Sequence, residues 1–457
     1  MKIIILGAGQ VGVSVARNLV NEANDITVVD HNQELLSAIQ DQLDIKTVCG
    51  HGSQPDVLLK AGIEDADMIL AATSSDETNM VACHIAQTLF HTPTRLARVR
   101  APAYLTHPEI FSRDAIPIDF LISPEQLVTT LMQHLIDQPE VTQVSDFFGG
   151  KARLVAVTVH QDSRMTGLFI RDLAALLPGV GVRIAAIFRK NTVVSLDGST
   201  LIQADDEIFF LAESRDIPRL VRIFRHKYSP YNRIIIAGGG NIGKQLAEKI
   251  EDRFKVKIIE HRHDRCRYLA ENLHNTIVLQ GDVGDAELLK AENIDQTDVY
   301  CAVTNDEEAN ILSCMLAKRL GARKTFSIIN RPSHVGLVHG TAIDIAVSPA
   351  QVTIGALLTH IRRGDVVAVH SLRWGAAEAI EVIAHGDRET SQVVGRAIKQ
   401  LPLPKDTTIG AILREEQLIF PDGETVIQSE DHVVLFLSHY KDVQHVEKLF
   451  QVGFTFL

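Results

Sequence analysis

Three glycines at fixed spacing, Gly7, Gly9 and Gly12, follow directly on the apolar run Ile3-Ile4-Ile5-Leu6, and a carboxylate, Asp30, closes the next apolar run, ITVVD. The chemistry open to this arrangement is the binding of a pyrophosphate. At a strand-to-helix turn the first glycine permits the tight reversal, the second leaves room for phosphate against the backbone, and the third lets helix approach strand. Gly7-Ala8-Gly9-Gln10-Val11-Gly12 supplies the whole turn, and the helix it opens offers free N–H groups and the positive end of its dipole to an anion. Asp30 is placed to accept hydrogen bonds from ribose hydroxyls and to repel a 2′-phosphate, which favours NAD over NADP. One such run is weak evidence, since a merely tight βα turn uses the same glycines. Here it occurs twice: Gly238-Gly239-Gly240-Asn241-Ile242-Gly243 follows IIIA, and Glu260 closes VKIIE.

Other polar residues fall at the same edge of the expected sheet. Thr73-Ser74 and Thr304-Asn305 lie just past a fourth apolar run in each copy, where they line the ribose-phosphate side, or the Ser, Asp and Glu residues there cap the following helix, DETNMVACHIAQ, or both. Arg98 and Arg100 end the run ARVR, where a guanidinium can clamp a phosphate or stay solvated. Aligned on Pro102 and Pro332, the second copy has Ile328 and Asn330 there, so the two sites are expected to differ in phosphate affinity. The stretch from His261 to Arg267 is rich in His and Arg, but it falls on a polar helix face after Glu260 and no HExxH-like spacing occurs, so no metal site is expected.

Positioning these residues requires parallel sheets. Short Val/Ile-rich runs at 3–6, 26–29, 68–72 and 95–99 alternate with helical patterns, which predicts a doubly wound sheet covered on both faces. Residues 3–12 repeat at 234–243, and Asp67-Met-Ile-Leu-Ala-Ala-Thr73 repeats as Asp298-Val-Tyr-Cys-Ala-Val-Thr304. A second repeat links 184–209 with 409–434, including Asp197-Gly198 against Asp422-Gly423, and its short alternating runs with a DG turn signal read as a small α+β unit. Between the two kinds of unit, Ser123-Pro124 and Ser348-Pro349 each open an amphipathic stretch, Ser as N-cap and Pro at the first helical position. The resulting division is 1–123, a Rossmann-like domain; 124–143, a crossover helix; 144–228, an α+β domain; then 229–348, 349–367 and 368–457 in the same order. The crossover helices at 124–136 and 349–361 are expected to bury their apolar faces within the chain or between subunits.

Composition bounds the function. At 457 residues the chain is too long for one core, and 46% hydrophobic with 22% charged residues is the balance of a protein folded throughout. A net charge of -12 argues against a nucleic-acid partner, which needs clustered Lys and Arg to displace counterions. The opening MKIIILGAGQ is broken by glycine too early for a signal peptide, and no run approaches the roughly 20 apolar residues that span a bilayer. Five cysteines without CxxC spacing fit a reducing compartment, so the expected location is cytosolic.

These motifs together resemble the potassium-conductance regulator family, the RCK or KTN domains, in its tandem form. The marks are GAGQVG with Asp30, ATSSDETN at 72–79, GGGNIG with Glu260, GDVGDAELL at 281–289, VTNDEEAN at 303–310 and the two C-terminal subdomains, and they cover essentially the whole chain. The resemblance implies a regulator, not an enzyme, that binds NAD(H) or ATP/ADP at Rossmann sites. It further implies a homotetrameric gating ring on the cytosolic face of the inner membrane, docked on a TrkH-like potassium-translocating subunit. Where the family often has Gly-Asp after the third strand, the second copy has Gly281-Asp282 and the first has Gly50-His51, which bears on the adenine-side contacts of His51. The competing reading is an NAD-dependent oxidoreductase with unusual C-terminal substrate domains. It lacks support because those segments carry no cluster of general acid or base residues to present over a nicotinamide.

Overall fold

The computed structural model describes residues 1–20, 24–112, 115–139, 141–173, 179–190, 192–194, 196–224, 230–331, 334–335, 338, 342–361, 366–373, 376–405, 407–438 and 442–452. Pro332, on which the two copies were aligned, lies outside them, as do parts of the expected units 124–143, 144–228, 229–348, 349–367 and 368–457.

The first unit runs β1 (Lys2–Leu6), α1 (Gln10–Val20), β2 (Asp25–Asp30), α2 (Gln33–Gln40), β3 (Lys46–Cys49), α3 (Pro55–Ala61), β4 (Met68–Ala71), α4 (Asp76–Phe90), β5 (Thr94–Arg98), α5 (Pro102–Leu105) and β6 (Phe120–Ile122). Its strands form one parallel sheet of order β3-β2-β1-β4-β5-β6. Continuous apolar runs suit this sheet because helices cover both faces; Ile3, Ile4, Ile5 and Leu6 are all buried. Strand order reverses between β1 and β4, which opens a crevice at the carboxyl ends.

Ser123 then accepts a hydrogen bond from the Gln126 N–H, Pro124 takes the first helical position, and α6 (Pro124–Asp137) buries Val128, Met132, Leu135 and Ile136 along one stripe. An antiparallel sheet follows, β7 (Val141–Phe147), β8 (Ala152–Thr158), β9 (Val182–Arg189), β10 (Thr192–Val194) and β11 (Glu207–Glu213), in order β10-β9-β11-β8-β7, with α7 (Ile217–Phe224) packed against it. The DG signal at Asp197-Gly198 marks an Asx turn, Asp197 Oδ1 accepting from Ser199 N–H, and not the β9–β10 hairpin itself.

The second half repeats the plan: β12 (Arg233–Ala237), α8 (Asn241–Ile250), β13 (Lys255–Glu260), α9 (His263–Asn272), β14 (Ile277–Gln280), α10 (Ala286–Ala291), β15 (Val299–Ala302), α11 (Glu307–Arg319), β16 (Lys324–Ile328) and β17 (Ile345–Val347) form a parallel sheet of order β14-β13-β12-β15-β16-β17. Then come α12 (Pro349–Ile361), the antiparallel strands β18 (Val366–Leu372), β19 (Ala377–Ala384), β20 (Thr407–Arg414), β21 (Gln417–Ile419) and β22 (Asp431–Leu437), and α13 (Val443–Phe450).

The halves are interleaved. Helix α6, from the first half, packs on α8 of the second, while α12 packs on α1 of the first, and α6 and α12 also touch each other. One apolar core therefore joins the first parallel sheet to α12 and the last antiparallel sheet through Leu19, Leu36, Leu357, Ile380 and Leu435. A second joins α6 and the first antiparallel sheet to the second parallel sheet through Met132, Leu135, Phe210, Leu246 and Phe326. The antiparallel sheets stack on each other over Phe147, Phe188, Phe209, Ala379 and Phe436. Polar contacts add to the exchange, with Lys249 Nζ donating to Thr130 Oγ1 at 2.8 Å and Arg253 paired with Asp137. Among the described residues no helix is long and apolar enough to cross a membrane.

Candidate nucleotide-binding cleft

Because the crossover helices bring the two parallel sheets face to face, the carboxyl ends of both open onto one cleft of about 1520 Å³. Of the residues singled out by sequence, Gly7, Gly9, Gln10, Val11, Asp30, His51, Thr73, Ser74, Arg98 and Arg100 line it from the first half. Gly238, Gly240, Asn241, Ile242, Glu260, Gly281, Asp282, Thr304 and Asn305 line it from the second. Ala8, Gly12, Gly239 and Gly243 are not on its surface.

Those four are structural parts of the loops. Gly7 and Gly238 sit at φ 105° and 112°, the left-handed region that only glycine adopts without strain. A Cβ on Gly12 or Gly243 would stand 1.9 Å from the carbonyl oxygen of Gly7 or Gly238, so the third glycine is required for the helix to close on its own turn. Gly9 and Gly240 meet nothing within 4 Å, leaving their backbone open to the cleft. Asp30 Oδ2 accepts the Ala8 N–H at 2.6 Å and Oδ1 accepts the Asn32 N–H at 2.8 Å. Glu260 does the same with Gly239 N–H at 3.0 Å and Arg262 N–H at 2.9 Å. Each carboxylate thus ties the glycine loop to the start of the next helix at the cleft wall.

The switch-point turns are pinned identically. Asn79 is buried, its Oδ1 accepting both Thr73 N–H and Thr73 Oγ1–H, while its Nδ2 donates to the Arg98 carbonyl at 2.9 Å. Asn310 repeats this with Thr304 and the Ile328 carbonyl. Ser75 and Asp306 cap α4 and α11, so the capping role belongs to these neighbours, and Thr73, Ser74, Thr304 and Asn305 are left on the cleft wall.

Arg98 Nη2 stands 3.6 Å from Glu125 Oε1 in the first turn of α6. Burial lowers the guanidinium's pKa from its ordinary value, with Glu125 opposing that shift. Arg98 Nε and Glu125 Oε2 are buried without a hydrogen-bond partner among the described residues; the Nε–H is a donor open to an anion, whereas the carboxylate oxygen opposes one. Arg100 is held differently: its N–H donates to Asp76 Oδ2 and its guanidinium reaches the Ser74 carbonyl. After the third strand of each sheet the cleft walls differ: His51 stacks on His31, ring centroids 5.4 Å apart, whereas Asp282 Oδ1 accepts the Gly284 N–H.

Ile328 and Asn330 stand where the first copy has Arg98 and Arg100, and the His/Arg stretch 261–267, expected as a polar helix face, supplies cations to the cleft instead. Arg262 and Arg265 line the cleft from the region just after Glu260, with Tyr268 beside them, and Glu125, which the sequence did not single out, lines it too. The signal was available: two and five residues after the acid, the first copy has Asn32 and Leu35 where the second has Arg262 and Arg265. Among the described residues no group of three or more His, Cys, Asp or Glu side chains converges as a metal site.

The TrkA-N domain pattern matches residues 3–124 and 234–349, and the TrkA-C domain pattern matches 154–225 and 388–451. The chain belongs to the TrkA family. Its full length aligns with the Trk system potassium uptake protein TrkA of Halomonas elongata, 52% identical over 456 residues, and with that of Vibrio alginolyticus, 52% over 458, with 100% of both chains covered in each case. That of Haemophilus influenzae is 44% identical over 458 residues, again covering 100% of both. These relatives are named as components of a potassium-uptake system, not as enzymes. Among solved structures, the GsuK RCK domain superposes with a TM-score of 0.63 at 18% identity, covering 98% of this chain and 94% of that one. The GsuK channel bound to NAD gives 0.63 at 17%, covering 98% and 78%. The TrkA family chain thus has two parallel-sheet nucleotide-binding-type domains, each followed by a small α+β domain.

Proposed function

We propose that this chain is the nucleotide-sensing regulatory subunit of a Trk-type potassium uptake system, binding NAD(H) or ATP/ADP at both glycine loops and gating a TrkH-like membrane subunit from its cytosolic face. The observation that carries this reading is the shared cleft. Two glycine loops, each with its acid, face one space whose walls include the first turns of α6 and α12, and those helices hold the halves together. A ligand that changes the width of the cleft must move the crossover helices and the antiparallel sheets packed behind them. The GsuK structures described as bound to NAD and to ADP support nucleotide as the ligand class.

A ligand shifts such an equilibrium only by its difference in affinity for the two shapes, so tenfold discrimination supplies about 1.4 kcal/mol per site. Several sites acting together raise this, which favours an oligomeric ring. The outer helices suit association between subunits: Val81 and Leu89 on α4, and Leu312 and Met315 on α11, are large apolar side chains left exposed.

The test is titration of NAD, NADH, ATP and ADP on the full chain, with potassium flux through a co-reconstituted TrkH-like subunit. Binding of at least one nucleotide with a change in flux is expected. Nucleotide-independent flux would remove the gating reading, and absorbance turnover of NADH with a carbonyl substrate would restore the oxidoreductase.

A further inference from the structure

The two sites carry their cations at opposite ends. In a sheet of this order a dinucleotide lies across the carboxyl ends, its adenosine over the strand that bears the ribose acid and its far end across the switch point. Arg98, at the end of β5, stands on the far side of the first site. Its counterpart in β16 is Ile328, so among the described residues the second site has no cation there. On the adenosine side the order inverts. Arg262 and Arg265 line the second site directly after Glu260, where the first has Asn32 and the exposed Leu35.

Arg265 is held in place for this role. Its Nε donates to the Gly239 carbonyl at 2.7 Å, on the glycine loop itself, and its guanidinium lies 4.7 Å from the centre of the Tyr268 ring. Arg262 pairs with the exposed Asp264, a solvent-screened surface contact that yields easily to a phosphate. The planar fork of a guanidinium matches a phosphate in two parallel hydrogen bonds. Glu260 stays on the cleft wall, but each of its oxygens already accepts a backbone N–H, from Gly239 and Arg262, and its side chain is only 8% exposed. Asp30 is engaged in the same way, so the acids do not distinguish the sites; the arginines do.

We propose that the second site takes adenine nucleotides carrying a phosphate on the ribose, the chemistry of NADPH, whereas the first rewards charge at the far end, the chemistry of a nucleoside triphosphate. The inference rests on reading the cleft as nucleotide-binding. The expectation of NAD over NADP rests on Asp30 and concerns the first site.

The test is calorimetric titration of the full-length protein with NADH, NADPH, AMP, adenosine 2′,5′-bisphosphate and adenosine 3′,5′-bisphosphate. One NADPH per chain is expected to bind at least tenfold tighter in wild type than in Arg262→Ala/Arg265→Ala, while NADH changes less than about threefold. Arg265→Lys, which keeps the charge and loses the fork, should fall between. Leu35→Arg with Asn32→Arg should add a second NADPH equivalent at the first site. Tighter binding of either bisphosphate than of AMP supports the proposal and assigns the phosphate to the 2′ or 3′ position. The proposal is overturned if NADH and NADPH lose affinity by the same factor in the double variant, or if neither bisphosphate exceeds AMP. Should NADH and ATP also fail to bind, the nucleotide reading of the cleft falls with it; if they bind normally, only this inference does.

Discussion

At the first glycine loop the nearby cation is Arg98, opposed by Glu125 on the crossover helix; at the second it is Arg265 on the helix after the acid, and Ala350 stands where Glu125 does. Yet the loops themselves superimpose in detail. Both third glycines leave 1.9 Å for a Cβ, and both switch-point threonines donate to a buried asparagine at 2.7 Å. What agrees between the copies is fixed by backbone geometry. What differs is what a ligand would meet. One scaffold thus supports two sensors with different demands, and the demands reside in a handful of charges.

The comparison can be broken most forcefully through the interleaved cores. Leu357→Ala removes a fully buried side chain of α12 from the core of the first parallel sheet, and Leu135→Ala does the same for α6 and the second. Each should cost about 2–5 kcal/mol in denaturant unfolding. If the crossover couples the halves, Leu357→Ala should also weaken ligand binding at the first site, which α12 does not supply with polar contacts; unaltered binding there would show the helices to be passive. Next in size, Gly12→Ala and Gly243→Ala should each destabilise by about 1–3 kcal/mol through overpacking and abolish one equivalent of nucleotide. Loss of both equivalents from a single variant would mean the sites are not separable.

Arg98→Ala should weaken ATP by roughly 10- to 100-fold, the scale of a lost charged hydrogen bond, and NADH by less. An equal effect on both ligands would contradict a clamp at the far end of the first site. Asp30→Ala is expected to weaken NADH more than Glu260→Ala, because the first site keeps Arg98 on the phosphate side; equal losses in titration would erase that asymmetry. The smallest effect is on pH. Burial holds His134 and His370 below the usual imidazole value. The unfolded chain takes up these protons before the folded one does, so stability present above about pH 6.5 should be lost as pH falls below it toward their folded values. His370→Gln should flatten the slope of unfolding free energy between pH 7.5 and 5; parallel slopes would assign the dependence elsewhere.

The glycine loops, the acids, Ser123-Pro124 and the alternation of the two unit types were readable because each depends on a few neighbouring residues. Arg262 and Arg265 escaped as cleft residues because the alignment compared equivalent strand ends, whereas the second copy draws its cation from a helix. The exchange of α6 and α12 was beyond reach for another reason. An apolar stripe says that a helix is covered but not by what, and Val15 of α1 and Leu357 of α12 share one core across more than 300 positions of chain.

That separation has a consequence for biosynthesis. The face of α1 that α12 covers is made within the first twenty residues, and its cover is not made until after residue 349. At about 5–20 residues per second, the ribosome leaves Val15 and Leu19 waiting for tens of seconds before their neighbours emerge. A nascent chain stalled short of α12 should therefore recruit chaperones that the released protein does not, an effect readable by crosslinking on arrested ribosomes at residues 340 and 400.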